Sequence, residues 1–585
     1  MSVLAGVVSR RRGQEVSLSW KAALTAAISR YPGEKIDSHE SEAALLLGTH
    51  SGAFAHPAFR RAPSGSVAML VGEPLLAAEE PGAGTNRERD LEILHAALEA
   101  GRWDILKSSA GSFAAVYFQP DSQTLHLIAD KIGLRPLYYW VDDQWIVYAS
   151  AMRILESLAF VPKEMDVRAV TEISAFSFPL GRRAPYAGIK TIKDAEIVSV
   201  DPKRIAARQY WRWDSLGVSG RSEPELLAEV YERFNVAVSR RLRGDRNPLA
   251  YLSGGLDSRA VVATLAAQSK TVHTLNFSLP RTQDRVYGAE MARRLGTIHH
   301  EEPFMVSNPN FLRRTLELAQ GFAHGNSNPV ERPLLVWSGD GGSVGLGHVY
   351  MTPRAVELIR KGDSEGMITQ FLREEKKAVV ARLLRPRVLK TVSEALREGM
   401  REELQDLRCE DPGRVLYLFL LLNDQRRHLV TISEDADLNR LEFVTPFFDA
   451  EFLASVMSVP IHLCLLHRFY NKWLSCFPPA VSSVPWQYYP THEPCPVPAL
   501  EGLVSQFDRS ESEYLHAQKR QQLIQDTKQL LGSREFPDEL LNRGFLRAAY
   551  LAYRWGVRDY AYVLDAALMY ARYWKISQGR YRLPD

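Results

Sequence analysis

The sequence predicts an α/β chain: an amino-terminal α+β unit, then a parallel-sheet domain whose carboxyl-terminal part is helical. Three observations carry that expectation. Residues 1–165 read as short apolar strands with turns between them, apolar strands alternate with helical stretches from about residue 225, and the periodicity from Glu374 onward is helical. A chain of 585 residues has room for about two to four domains and at least one full core.

In order, Val3 to Ser9 is a Val-rich strand, Ser66 to Gly72 a second, and Gly111 to Phe118, Leu125 to Ala129 and Trp145 to Tyr148 follow, separated by turn residues. Residues 166–224 hold strand fragments and Pro/Gly turns and read as a connecting extension, with Arg208 to Trp213 an interdomain packing strand. Leu249 to Leu252, Arg259 to Ala267, Thr271 to Leu279 and Arg285 to Leu295 then alternate strand and helix, which predicts a parallel sheet over 225–490. Residues 491–585 read as a helical extension with a tyrosine-rich end.

Composition narrows the function classes. The 72 Lys+Arg against 69 Asp+Glu leave a net charge of +3, scattered along the chain, which argues against a dedicated nucleic-acid binder. The longest apolar run, Val415 to Leu422, is too short to span a bilayer and reads as a buried helix. Cys409, Cys464, Cys476 and Cys495 lack CxxC spacing, and the amino terminus lacks an apolar signal segment. The expectation is a reduced, cytoplasmic protein without structural zinc, nucleic acid or membrane partner.

The informative segment is Leu252-Ser253-Gly254-Gly255-Leu256-Asp257-Ser258, between an apolar strand and a helix. A loop in that position offers free backbone N–H groups at a positive helix end, and glycines let it close around an anion. Ser253 and Ser258 can donate to phosphate oxygens. Asp257 cannot, because a carboxylate beside phosphate repels it unless a cation lies between, and it therefore implies Mg²⁺. A short Ser/Gly run by itself is only a capped turn; the strand–helix context argues for the phosphate cradle.

This string resembles the pyrophosphate loop of the N-type ATP pyrophosphatases. Asp284 to Glu301 and Glu442-Phe-Val-Thr-Pro-Phe-Phe-Asp449 resemble further segments of the asparagine synthetase family, while Gly111 to Ala114, Asp130 to Tyr139 and Tyr148 to Ser150 resemble its amino-terminal glutaminase half. The resemblance implies an Ntn-hydrolase-like first domain and an adenine-nucleotide α-hydrolase-like (PP-loop) second one. It implies ATP and Mg²⁺ as cofactors and an activity in which a carboxylate becomes an acyl-adenylate, pyrophosphate leaves, and ammonia or an amine takes the acyl group. By the same resemblance Ser253, Gly254, Gly255, Asp257 and Ser258 hold pyrophosphate, Leu252 and Leu279 contact adenine, and Ser338-Gly339-Asp340-Gly341 is a second loop. Asp257 and Asp340 are then metal ligands, and Asp340 and Glu442 stand beside the reacting groups.

Three departures bear on which reaction this is. Ser2 stands where a glutamine-hydrolysing relative has cysteine, and a serine hydroxyl is a weaker nucleophile without an activating base. Val71-Gly72-Glu73 replaces Asn-Gly-Glu, although Asp90 still matches the aspartate for the glutamine amine, so the glutaminase half reads as degenerate. At Gly342-Ser343-Val344 a serine replaces the usual second metal carboxylate, and Trp486 to Tyr514 lacks the family's lysine, for which Lys472 or Arg468 is a substitute unless each is a surface ion pair. His299-His300-Glu301 reads as structural rather than metal-binding. The resulting expectation is an amide-forming ligase acting on a small-molecule or peptide carboxylate. The alternatives are a lasso-peptide-type macrolactam cyclase working on a precursor peptide with companion proteins, an asparagine synthase using ammonia or glutamine, and a non-catalytic nucleotide binder.

Overall fold

Apolar residues on both faces of the first strands decide the architecture of the amino-terminal half. The computed structural model describes residues 2–54, 58–76, 86–303, 310–325, 327–505 and 512–584. In the strand Val3–Ser9 every residue is buried: Val3, Ala5 and Val7 face one core, Leu4 and Val8 another. Successive strand side chains point to opposite faces, so a strand covered on both sides reads as a continuous apolar run.

Two antiparallel six-stranded sheets result. One runs Ile189–Thr191, Tyr138–Val141, Trp145–Ala149, Val3–Ser9, Ala44–Thr49, Ile36–Glu40 across its width, and the other Ile205–Gln209, Glu196–Val200, Thr124–Ala129, Phe113–Gln119, Val67–Gly72, Phe59–Arg61. They sandwich a core that includes Leu46, Met69, Val116, Leu127 and Ile146, and the helix Arg87–Glu99 packs on the outer face of the second sheet through Leu91, Leu94 and Leu98. The segment read as a connecting extension contributes Ile189–Thr191 to one sheet and Glu196–Val200 and Ile205–Gln209 to the other, so the sheet-forming unit runs through Gln209 rather than stopping at 165. Their strand partners lie far away in sequence, and periodicity carries no trace of such pairing.

The second half is a five-stranded parallel sheet in the order Ile298–Glu302, His273–Phe277, Leu249–Tyr251, Leu335–Trp337, Glu442–Val444. The direction of winding reverses between Leu249–Tyr251 and Leu335–Trp337. In open α/β sheets such a reversal leaves a crevice at the carboxyl ends of the two strands. The expected buried helix over 415–422 is present as Arg414–Phe419 continuing into a π-helical Leu420–Gln425 and then Arg426–Leu438. Helices Arg543–Arg554 and Ala561–Ile576 fold back onto the first sheet's outer core through Leu546, Val563 and Leu564, and Tyr581–Arg582 pairs in parallel with Met165–Asp166.

Among the described residues no single helix is long and apolar enough to cross a membrane. The bent pair Ala450–Ser458 and Ile461–Cys476 has the composition, but its Phe452, Leu453, Phe469 and Trp473 are fully buried in the core. All four cysteines are free thiols.

Candidate active site

The two loops singled out in the sequence leave the two strands that flank the sheet's reversal. Ser253 to Gly255 connects Leu249–Tyr251 to the helix Leu256–Gln268, and Ser338 to Gly341 follows Leu335–Trp337. The first loop is internally braced: Ser253 N donates to Ser258 Oγ at 3.0 Å, the Ser253 and Ser258 hydroxyls lie 2.9 Å apart, and Gly255 N donates to Ser253 Oγ at 3.2 Å. Gly254 N donates to Asp284 Oδ1 at 2.8 Å, and Gln487 Nε2 donates to the same oxygen at 2.7 Å. Leu252 and Leu279 follow neighbouring strands at the same end of the sheet, and Leu252 N donates to Leu275 O at 3.0 Å. The amides opening Leu256–Gln268 have no intrahelical acceptor and sit at the positive end of the helix dipole.

The second loop presses directly on this helix end, which explains two of its glycines. A Cβ on Gly339 would lie 2.6 Å from Ser258 N, and one on Gly342 would lie 2.6 Å from Asp257 Cγ. The contact brings Asp340 near Asp257. Asp257 is half-buried and accepts from Tyr470 Oη at 2.6 Å, Ser343 N at 3.0 Å and Ser343 Oγ at 2.8 Å. Burial lifts its carboxyl to about 6 against the pull of those donors, with Asp340 adding to the rise. Asp340 accepts from Ser338 Oγ at 2.8 Å. No group of three or more His, Cys, Asp or Glu able to hold a metal occurs among the described residues. A carboxylate pair beside a phosphate cradle does fit Mg²⁺, which is commonly held by one or two carboxylates with water and phosphate oxygens. Ser343, at the position expected to lack the second metal carboxylate, orients Asp257 instead.

Glu442 is not gathered with these loops. It begins its strand, opposite Leu335, at the amino-terminal edge of the sheet, whereas the loops leave the carboxyl-terminal edge. Its buried carboxylate instead accepts from Ser2 N at 2.8 Å and Arg135 Nη2 at 3.1 Å, at the seam with the first domain. The reason is topological: the strand direction decides to which edge its first residue belongs.

At that seam the residues expected to form a glutamine pocket are tied up. Arg87 Nη1 donates to Ser2 Oγ at 3.0 Å. Asp90, wholly buried, accepts from Leu75 N and Leu76 N, each at 3.2 Å, and from Arg243 Nη2 at 2.7 Å; Arg243 Nη1 lies 3.3 Å from Glu73 Oε1. Burial pulls the Arg87 guanidinium below its ordinary value, opposed by Glu442 and Glu73 and reinforced by Arg135 and Arg243. Three arginines and three carboxylates thus form one enclosed cluster. The cavities touching Ser2 and Glu73 measure about 20 and 30 Å³, too small for a glutamine.

Neither substitute for the missing lysine reaches the loops. Lys472 Nζ pairs with Glu223 at 2.8 Å and Arg468 Nε with Glu493 at 3.1 Å, all at the surface. The cation nearest the loop is one the sequence reading passed over. Arg259 is completely buried and donates to Gly255 O at 3.1 Å, Val481 O at 2.9 Å, Val484 O at 2.8 Å and Pro485 O at 2.7 Å, stapling the 481–485 segment to the loop; burial lowers it to about 10. Its position immediately after Ser258 on an otherwise apolar helix face was the available signal. Tyr470, by contrast, had no spacing to announce it. His467 lies edge-on to Tyr489 and tilted against His492, and burial lowers it to about 3. His299 and His300 bond Thr274 and His273 within the sheet, as structural residues do.

Comparison with known proteins matches the two halves separately. The family model described as "Asparagine synthase" covers residues 229–318, and that described as "Glutamine amidotransferase domain" covers 78–211. Each half thus resembles a domain of the glutamine-hydrolyzing asparagine synthetases. Among the chain's relatives are the amidase chyE of Penicillium rubens, 28% identical over 212 residues, and the glutamine-hydrolyzing asparagine synthetase 3 of Bacillus subtilis, 24% identical over 238 residues. These matches cover 35% and 37% of this chain but only 30% and 38% of the relatives. The solved glutamine phosphoribosylpyrophosphate amidotransferase of B. subtilis is 10% identical with a TM-score of 0.26, across 56% of this chain and 94% of that one, a likeness too distant to bear on the site. The α/β class read from the sequence is the one observed, antiparallel sheets first and a parallel sheet with helices after.

Proposed function

We propose that this protein is an ATP- and Mg²⁺-dependent carbon–nitrogen ligase of the AMP-forming kind, in which a carboxylate is activated as its acyl-adenylate with release of pyrophosphate and then captured by ammonia or an amine. The observation that carries the reading is the meeting of Asp257 and Asp340 beneath the Ser253–Ser258 loop at the sheet's reversal. Bound there, Mg²⁺ would offset the charge of the departing pyrophosphate. The chain's own contribution is to orient: Ser343 and Tyr470 aim the Asp257 carboxylate, Ser338 aims Asp340, and the serines and helix amides face the phosphates.

The nitrogen source is external to the first domain, because the arginine–carboxylate cluster fills the place of a glutamine. An amine on the same molecule as the carboxylate, as in macrolactam formation on a peptide, suits that arrangement better than glutamine-dependent asparagine synthesis does. Four unpaired thiols suit a cytoplasmic setting. A second reading, nucleotide binding without turnover, draws on Lys472 and Arg468 lying in surface pairs away from the loops.

The test is ATP-dependent pyrophosphate release with Mg²⁺ across aspartate and peptide carboxylates, offered with ammonia, glutamine or an internal amine, with Asp257→Ala as the control. Release that needs both Asp257 and one particular acid is expected. Nucleotide binding with no release above the control for any acid would favour the non-catalytic reading.

A further inference from the structure

Along the helix Arg426–Leu438 lies a cavity of about 250 Å³. Its walls come from three parts of the chain: Met152 and Arg153 of the first domain with Phe178 of the following segment, Arg427 and Glu434 of the helix, and Arg572 and Tyr573 of the carboxyl-terminal helix.

Arg427 is the feature that ordinary folding does not explain. Its side chain is 95% buried, and it makes no ion pair with a carboxylate among the described residues. Nη2 donates to Gly181 O and to Arg183 O at 3.0 Å, while the enclosed Nε has no hydrogen-bond partner. Arg153, on the same wall, is answered by Asp437, to which its Nη2 donates at 2.9 Å. Arg572, at the rim, lies over the Tyr573 ring and forms no salt bridge among the described residues. Glu434 does not answer this charge, because burial pushes its carboxyl up to about 7 and it accepts instead from Met152 N at 3.1 Å. A buried guanidinium without a counter-ion costs several kcal/mol, and guanidinium groups are the preferred partners of carboxylate and phosphate oxygens.

We infer that this three-way cavity is a binding site for a small oxyanion, a carboxylate or phosphate ester seated on Arg427 and closed over by Arg572 and Tyr573. The site is separate from the serine loop and does not depend on the activity proposed above. Because its walls belong to three segments, an anion binds only when all three are docked, and binding therefore stabilises the folded chain.

The experiment is thermal unfolding of the full chain titrated with inorganic phosphate and, separately, citrate, each against chloride at matched ionic strength. A saturable rise in Tm with either anion is expected, phosphate alone marking a phosphoryl ligand and citrate alone a carboxylate. Arg427→Met and Arg572→Ala should each lose most of the rise, and Arg427→Lys should keep part of it. Arg572 is exposed, so its variant folds even if Arg427→Met does not. No rise beyond chloride, or a rise that Arg572→Ala and any folded Arg427 variant retain in full, overturns the inference.

Discussion

Under the proposed function Asp257 serves as a metal ligand rather than as a proton donor. Both oxygens are occupied by short bonds from Tyr470 and Ser343, and the residue is half-buried beside a second carboxylate. Partly burying that charge beside Asp340 without a cation disfavours the metal-free fold, and the three donors offset only part of the loss. An amide of the same shape can accept from Ser343 N and Oγ through its oxygen and donate to Tyr470 Oη while carrying no charge. Asp257→Asn should therefore fold with a Tm equal to or above that of the wild type in metal-free buffer, yet show pyrophosphate release at background. Melting curves with EDTA and a release assay with Mg²⁺ check the two halves. A variant that kept more than a tenth of the release would remove Asp257 from the reaction. Tyr470→Phe has the milder outcome: it deletes one charge-assisted bond, of order 1.5–3 kcal/mol, and should raise the Mg²⁺ concentration needed for half-maximal release while sparing ATP binding.

At the level of elements, the strand–loop–helix around Ser253 was legible because everything it needs is local: an apolar strand ending at Leu252, glycines at the turn, and Leu256–Gln268 beginning at once. The cluster at the domain seam was not, since Ser2 meets Glu442 across 440 positions and Arg135 meets it across 307. Nor does residue type reveal which end of a strand a carboxylate occupies, and Glu442 was for that reason placed with the loops. The resemblance exposed the degenerate glutamine pocket through Ser2 and Val71, but not the arginines that fill it. That filling has two consequences. Ser2→Cys should not install glutaminase activity: ammonia release from glutamine should stay at background, because Arg243 holds Asp90 and Arg87 holds position 2. Gain of release would show that the pocket opens. Arg243→Ala should leave Asp90 and Glu73 enclosed without their cation and destabilise the protein by about 3–5 kcal/mol, whereas the paired Arg243→Met, Asp90→Leu change should recover much of that in a denaturant titration.

Across the whole molecule, three segments remote in sequence meet on the helix Arg426–Leu438. The first sheet and its Met152–Ser157 helix lie on one side, the parallel sheet on another, and Ala561–Ile576 closes the third. Glu434 stands at that junction, bonded to Tyr138, with Glu156 and Asp437 disfavouring its charge and Arg427 and Arg153 lining the same cavity. Burial is the largest influence and raises its carboxyl from 4.5 to about 7. Because the folded value lies above the unfolded one, the protonated group's contribution is complete below about 4.5 and is lost as pH rises through about 7. Relative to Glu434→Gln, which cannot ionise, the wild type should therefore match the variant at pH 4.5 and fall behind by up to about 3 kcal/mol by pH 8. Chemical denaturation of both proteins at several pH values between those limits measures the gap. A gap that stayed constant with pH, or that opened toward acid, would mean that Glu434 is ionised in the folded protein and that the junction is held by an ion pair with Arg427.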